Sequence, residues 1–268
     1  MIIINDLIEK AKEEGFEGIN ANAKVAQDII LYIFSKMEYN NNITVKGGVL
    51  MRNISKNVRR ATQDLDIDLI KYSIEDFAIR KIINKMNGVE NIGVNIKGEI
   101  EELKQEDYKG KRVYLVLKDN EGTEINTKID FGVHTDLTIE QEEYCFDLGF
   151  DDDGIVLFAN TKEQMFVEKL CSLLKHGIAS TRYKDIYDMY YLIEFIDKDK
   201  LDEIMLKLIY LNENLKEQNI SEVIKRLEKI FSNKQFIVKA SNPKSNWLNY
   251  DIKIIINGIL GFLNKDKK

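Results

Sequence analysis

The stretch Gln63-Asp64-Leu65-Asp66-Ile67-Asp68-Leu69-Ile70 alternates apolar with acidic residues. A period of two belongs to a half-buried β-strand, which turns Leu65, Ile67 and Leu69 to a core and puts Asp64, Asp66 and Asp68 on the opposite face. Like charges about 4 Å apart repel by roughly 4 kcal/mol at an effective dielectric of 20, so acids on one face require a positive partner. Mg²⁺ (or Mn²⁺) meets that requirement, because it takes oxygen ligands and leaves positions open for phosphate. A solvated acidic edge strand is the plain alternative. Asp64 with Asp66, and Asp66 with Asp68, satisfy the alternation equally.

Upstream, Val25, Ile29, Ile33 and Phe34 fall at helical spacing, which predicts a core helix over 22–37 capped by Asn20 or Asn22. Ile43 to Val45 reads as a short strand running into Gly47-Gly48, and Val49 to Ser55 as a brief helix. Glycine lets backbone approach a phosphate without a Cβ in the way, and a helix start favours an anion. Arg52, Lys56, Arg59 and Arg60 form a basic cluster that is either a solvated helix face or a local groove.

Downstream, Ser73 with Asp76 predicts a capped helix over 74–86, followed by strands within 92–103, 112–118 and 123–133. The last two read as a hairpin through Asn120-Glu121-Gly122. Asp130 shares the polar face of its strand with Asn126 and Lys128, while Ile125, Thr127, Ile129, Phe131 and Val133 face the other way. From an adjacent strand Asp130 would hold a second ion.

After Thr161 the pattern turns helical, which divides the chain into 1–160 and 161–268. Thr161 and Gln164 suggest a capping box and Gly177 a helix end, with further helices over 182–195, 201–212, 221–230 and 250–263. Asp185 falls in the apolar arc of Ile186, Met189, Leu192 and Ile193, where a carboxylate needs a partner. Lys169 is a candidate for that partner or for a nucleotide phosphate. The Met and Tyr residues from Tyr187 to Tyr191 read as packing. Pro243 is the only proline, and no Gly/Ser-rich linker separates the two parts.

Apolar residues make up 44% and charged residues 31% of the 268, a globular mixture rather than a disordered one. The net charge of −6 excludes a generic nucleic-acid coat but not a local basic groove. No apolar run approaches the roughly 20 residues of a membrane helix, and Met1-Ile2-Ile3-Ile4 meets Asp6 too soon for a signal peptide. A cytoplasmic protein without membrane association is expected. Cys145, Cys171, His134 and His176 form no motif and read as structural.

Gly-Gly, a helix, Asp-x-Asp on a strand and a later strand Asp together form the pattern of polymerase-β-like nucleotidyltransferases. More narrowly, the sequence resembles the AbiEii-type abortive-infection nucleotidyltransferases, toxins of toxin–antitoxin pairs. The likeness rests on Lys46-Gly47-Gly48, Arg60-x-Thr62-x-Asp64-Leu65-Asp66, Val167-Glu168-Lys169-Leu170 and Arg182-Tyr183-Lys184-Asp185-Ile186-Tyr187-Asp188. It implies an α/β (α+β) fold with a mixed-sheet nucleotidyltransferase lobe, a helical C-terminal lobe, and an NTP and metal site between them. Metal falls to Asp64 and Asp66, with Asp130 and then Asp68 beside them. Lys169 and Asp185 join the catalytic set, and Gly47, Gly48, Arg60, Thr62, Lys169 and Asp188 bind the nucleotide. The expected reaction moves NMP from an NTP to a hydroxyl of tRNA or of a protein, with an antitoxin as restraining partner. Two other readings stay open: a small-molecule, antibiotic-modifying nucleotidyltransferase, and a catalytically idle module that binds a partner.

Overall fold

The computed structural model describes residues 1–103 and 110–264. They form two compact units, Met1–Asn160 and Thr161–Lys268. In the first, α1 (Ile4–Glu13) and α2 (Ile19–Ser35) precede β1 (Ile43–Lys46), α3 (Gly47–Ser55), β2 (Leu65–Leu69) and α4 (Asp76–Met86). Strands β3 (Gly93–Ile96), β4 (Glu101–Leu103), β5 (Gly110–Lys118), β6 (Glu124–Val133), β7 (Glu142–Leu148) and β8 (Asp151–Ala159) follow.

All eight strands join one sheet in the order β3-β5-β6-β2-β1-β8-β7, with β4 on β5. The β1–β8 and β2–β6 pairs are parallel and the others antiparallel, so the sheet is mixed. Helix α2 packs on β6 and β8, and α3 on β1 and β2. Leu65, Ile67 and Leu69 on β2 are buried, as are Val25, Ile29, Ile33 and Phe34 on α2. The acidic stretch is thus an interior strand of the sheet, not a solvated edge.

Several local expectations fail for physical reasons. Helix α2 starts three residues early, with Gly18 at its N-cap at φ 51°, so Asn20 and Asn22 lie inside it and cap nothing. The Ser73 hydroxyl accepts the Glu75 amide at 3.2 Å, closing a tight turn, and α4 begins only at Asp76 without a side-chain cap. Helix α1 and strands β7 and β8 carried no clear signal. The acidic Asp151-Asp152-Asp153 opens β8, and β7 exposes every second side chain.

The second unit is helical: α5 (Lys162–His176), α6 (Lys184–Leu192), α7 (Lys198–Met205), α8 (Ile220–Phe231), α9 (Lys234–Ala240) and α10 (Ile252–Asn264). A π-helical turn, Leu206–Tyr210, extends α7. Thr161 caps α5 as expected: its Oγ1 accepts the Gln164 amide at 3.2 Å, and the Gln164 side chain donates to Glu168. Gly177 caps the C-terminus of α5 at φ 54°. Helix α6 is shorter than expected, its last turn tightening to a 3₁₀ helix at Ile193–Phe195. Helix α9 was not anticipated. Among the described residues, no helix is long and apolar enough to cross a membrane.

Candidate nucleotide and metal site

Sheet register sets the site in the first unit. Lys46 pairs with Asp66 across β1 and β2, Asp66 with Asp130 across β2 and β6, and Asp130 with Arg112 across β6 and β5. Four neighbouring strands therefore present one row of side chains on one face, cation, acid, acid, cation, with strands roughly 4.8 Å apart. Asp68 lies one step further along β2, opposite Thr44 and Gly132. Asp64 precedes β2 by one residue.

The carboxylates are held by cations. Arg112 grips Asp130 through two parallel hydrogen bonds of 2.7 Å, and that bonding, opposed by burial, raises the guanidinium pKa above its ordinary value. Lys128 lies 2.8 Å from Asp64 Oδ1. Lys46 lies 2.8 Å from Asp68 Oδ1, an ion pair without an aligned hydrogen bond, since that buried oxygen has no hydrogen-bond partner. Sequence reasoning saw Lys128 on the face of Asp130 but not its pairing with Asp64, and it missed Arg112. Both follow from register, which the sequence does not state.

The two glycines are held at close quarters. Gly47 has φ 66°, and a Cβ there would collide with the Asp66 carboxylate; a Cβ on Gly48 would lie 2.6 Å from Thr62 Oγ1. These absent side chains let the start of α3 lie directly against the acidic strand. The N-cap residue of α3, Lys46, makes no side-chain cap bond, and the helix start carries the positive end of the helix dipole.

A divalent ion fits this donor set in part. Among the described residues no three His, Cys, Asp or Glu side chains converge as a ready ligand group. Mg²⁺, however, uses one or two carboxylates and completes its shell with water and phosphate, and the neighbouring Asp66 and Asp130 would be such a pair, Asp130 exchanging part of its Arg112 contact for the ion.

The basic cluster divides. Arg52 and Arg60 are buried, while Lys56 and Arg59 are exposed. Arg52 bonds Gln27 Oε1 at 2.6 Å and Asp28 Oδ1 at 2.7 Å, so it braces the core rather than lining a solvated face. In the second unit Lys169 on α5 lies 2.9 Å from both Asp185 Oδ1 and Asp188 Oδ2 on α6. Asp188 is 0% exposed, and its other oxygen accepts the Trp247 indole N–H at 2.9 Å. Sequence reasoning named Asp185 as the acid that needs Lys169. The deeper acid is Asp188, and its partner Trp247 lay beyond any quoted motif. Tyr187 is buried and donates to the Ala240 carbonyl, as a packing residue does.

Comparison with curated proteins gives no match. Solved structures with which the chain aligns include the following two. JHP933 from Helicobacter pylori is 13% identical over 94% of this chain and 96% of its own, with a TM-score of 0.50. An antigenic nucleotidyltransferase-like protein from Paracoccidioides brasiliensis is 14% identical over 82% and 91%, with a TM-score of 0.46. Residues 29–244 match the family described as "Nucleotidyl transferase AbiEii toxin, Type IV TA system". That match spans most of the sequence and includes all four motif blocks, so the chain belongs to the AbiEii nucleotidyl transferase toxin family.

Proposed function

We propose that the chain transfers a nucleotidyl group from an NTP to an acceptor hydroxyl with the help of Mg²⁺ or Mn²⁺. The observation that carries this reading is the in-register pair Asp66 and Asp130, with Asp66 lying against Gly47, where a Cβ would collide with its carboxylate. Asp66 and Asp130, with Asp64 at the strand entrance, would hold the ion. When bound, such an ion offsets the charge that develops on the phosphoryl oxygens.

The chain's own residues bind and orient. Amides at the start of α3 receive phosphate oxygens, and Gly47 and Gly48 allow that approach. An acceptor hydroxyl attacks the α-phosphorus, a new P–O bond forms, and the bond to the β-phosphate oxygen breaks as pyrophosphate departs. Lys46 and Arg112 flank the acids and keep the loaded site from accumulating excess negative charge.

Membership of a Type IV toxin–antitoxin family supports a toxin role with an antitoxin partner; an acceptor hydroxyl in tRNA or protein is part of the same proposal. Incubation with labelled NTP and total RNA, protein extract or small acceptors tests the assignment. Label on RNA or protein supports the toxin reading, and label on a small acceptor supports the antibiotic-modifying one. An idle partner-binding module would bind NTP no better with Mg²⁺ than without it.

A further inference from the structure

We infer that Gln27 on α2, aimed by Arg52 on α3, is a positioning residue for the Asp64 carboxylate; this rests on metal-dependent transfer by the first unit. Gln27 is completely buried. Its Nε2 donates to the Thr62 carbonyl at 3.0 Å and to the Asp64 carbonyl at 3.4 Å. Its Oε1 accepts from Arg52 Nη1 at 2.6 Å. Arginine only donates, so the amide orientation is fixed and the NH₂ group must face the two carbonyls. Arg52 is anchored in turn by Asp28 Oδ1 at 2.7 Å, and Lys24 holds the other Asp28 oxygen at 2.8 Å.

Asp66 and Asp130 are placed by the sheet, but Asp64 lies before the first β2–β6 pair, Leu65 with Ile129. Its backbone is tied down from the core side instead, by Gln27. Arg52 belongs to the helix that begins at Gly47 and Gly48, so one chain of hydrogen bonds through the buried Gln27 joins that helix to the entrance of the acidic strand. A side chain that fixes a ligand's backbone sets where its carboxylate stands, as outer-shell partners of metal ligands do.

Gln27→Met removes both donated bonds at nearly constant volume, and Gln27→Glu keeps the Arg52 contact while losing the donors. Amide exchange over residues 62–65 should rise roughly tenfold in either variant, while the interior of β2 stays protected. Mn²⁺ affinity by calorimetry should fall roughly 10- to 100-fold, with no further loss when the substitution is added to Asp64→Asn. Unchanged exchange overturns the clamp whatever the chain catalyses. Raised exchange with parent-like Mn²⁺ affinity, or full additivity with Asp64→Asn, overturns its action through Asp64. A parent chain that neither binds Mn²⁺ nor transfers nucleotide contradicts metal-dependent transfer itself, and the role of the clamp in metal binding with it.

Discussion

Asp66 and Asp68 share one face of β2 and Asp64 lies one residue before it, and the surroundings of Asp64 and Asp68 differ. Asp64 is 43% exposed and Asp68 5%, the latter against Lys46. Replacing Asp68 by Asn removes the charged partner 2.8 Å from a largely buried Lys46, so Asp68→Asn should lower the melting temperature. Asp64→Asn should melt close to the parent and lose more transfer per folded molecule. A melt beside a transfer assay reads both, and a larger activity loss for Asp68→Asn would place the site two residues later. Gly47→Ala forces a left-handed backbone on an L-residue, which costs about 1–2 kcal/mol, and pushes on the Asp66 carboxylate. Transfer should fall well beyond what that loss of stability explains. Near-parent turnover in Gly47→Ala would contradict the glycine cradle.

At the scale of elements, α5 and α6 are joined by a lysine between two acids, one of them wholly buried. Lys169→Met removes the cation that Asp185 and Asp188 share and should destabilise the second unit by about 3–5 kcal/mol, read by thermal or denaturant unfolding. A parent-like melt with lost turnover would instead make Lys169 a nucleotide-binding residue. On the same helix, burial pushes the Tyr187 hydroxyl up to about 12, with Asp251 adding to the shift. A pKa raised by folding contributes stability that is whole below the ordinary value of 10.0 and is lost as pH rises through about 12. Tyr187→Phe should therefore flatten alkaline destabilisation in that window, and an unchanged slope would contradict the burial. The sequence made α5 legible through Thr161 and Gly177, and β2 and β6 through strict alternation. Caps were less legible, because α2 starts before Asn20 and the Ser73 hydroxyl closes a tight turn instead. Strands β7 and β8 stayed hidden, since their acids mimic loop composition.

Across the whole molecule, what the sequence made legible was the list of acids and glycines, and what it withheld was their pairing. Asp66 beside Asp130, Arg112 on Asp130 and Trp247 on Asp188 all join residues far apart in the chain. Periodicity assigns a residue to a face, whereas register and helix packing decide its neighbour, and these follow from the complete core. Membership of the AbiEii family and the mixed-sheet fold agree with the resemblance in Lys46-Gly47-Gly48 and Asp64-Leu65-Asp66. The claim that unites these observations is metal-dependent nucleotidyl transfer centred on Asp66. Its most direct test is a transfer assay with α-labelled NTP and mixed acceptors, run with Mg²⁺, with a chelator, and with Asp66→Asn of verified fold. The account predicts acceptor labelling and pyrophosphate release in equal amounts with Mg²⁺, and neither with chelator or with Asp66→Asn. Near-normal transfer by the folded Asp66→Asn chain, or transfer indifferent to the chelator, would contradict it.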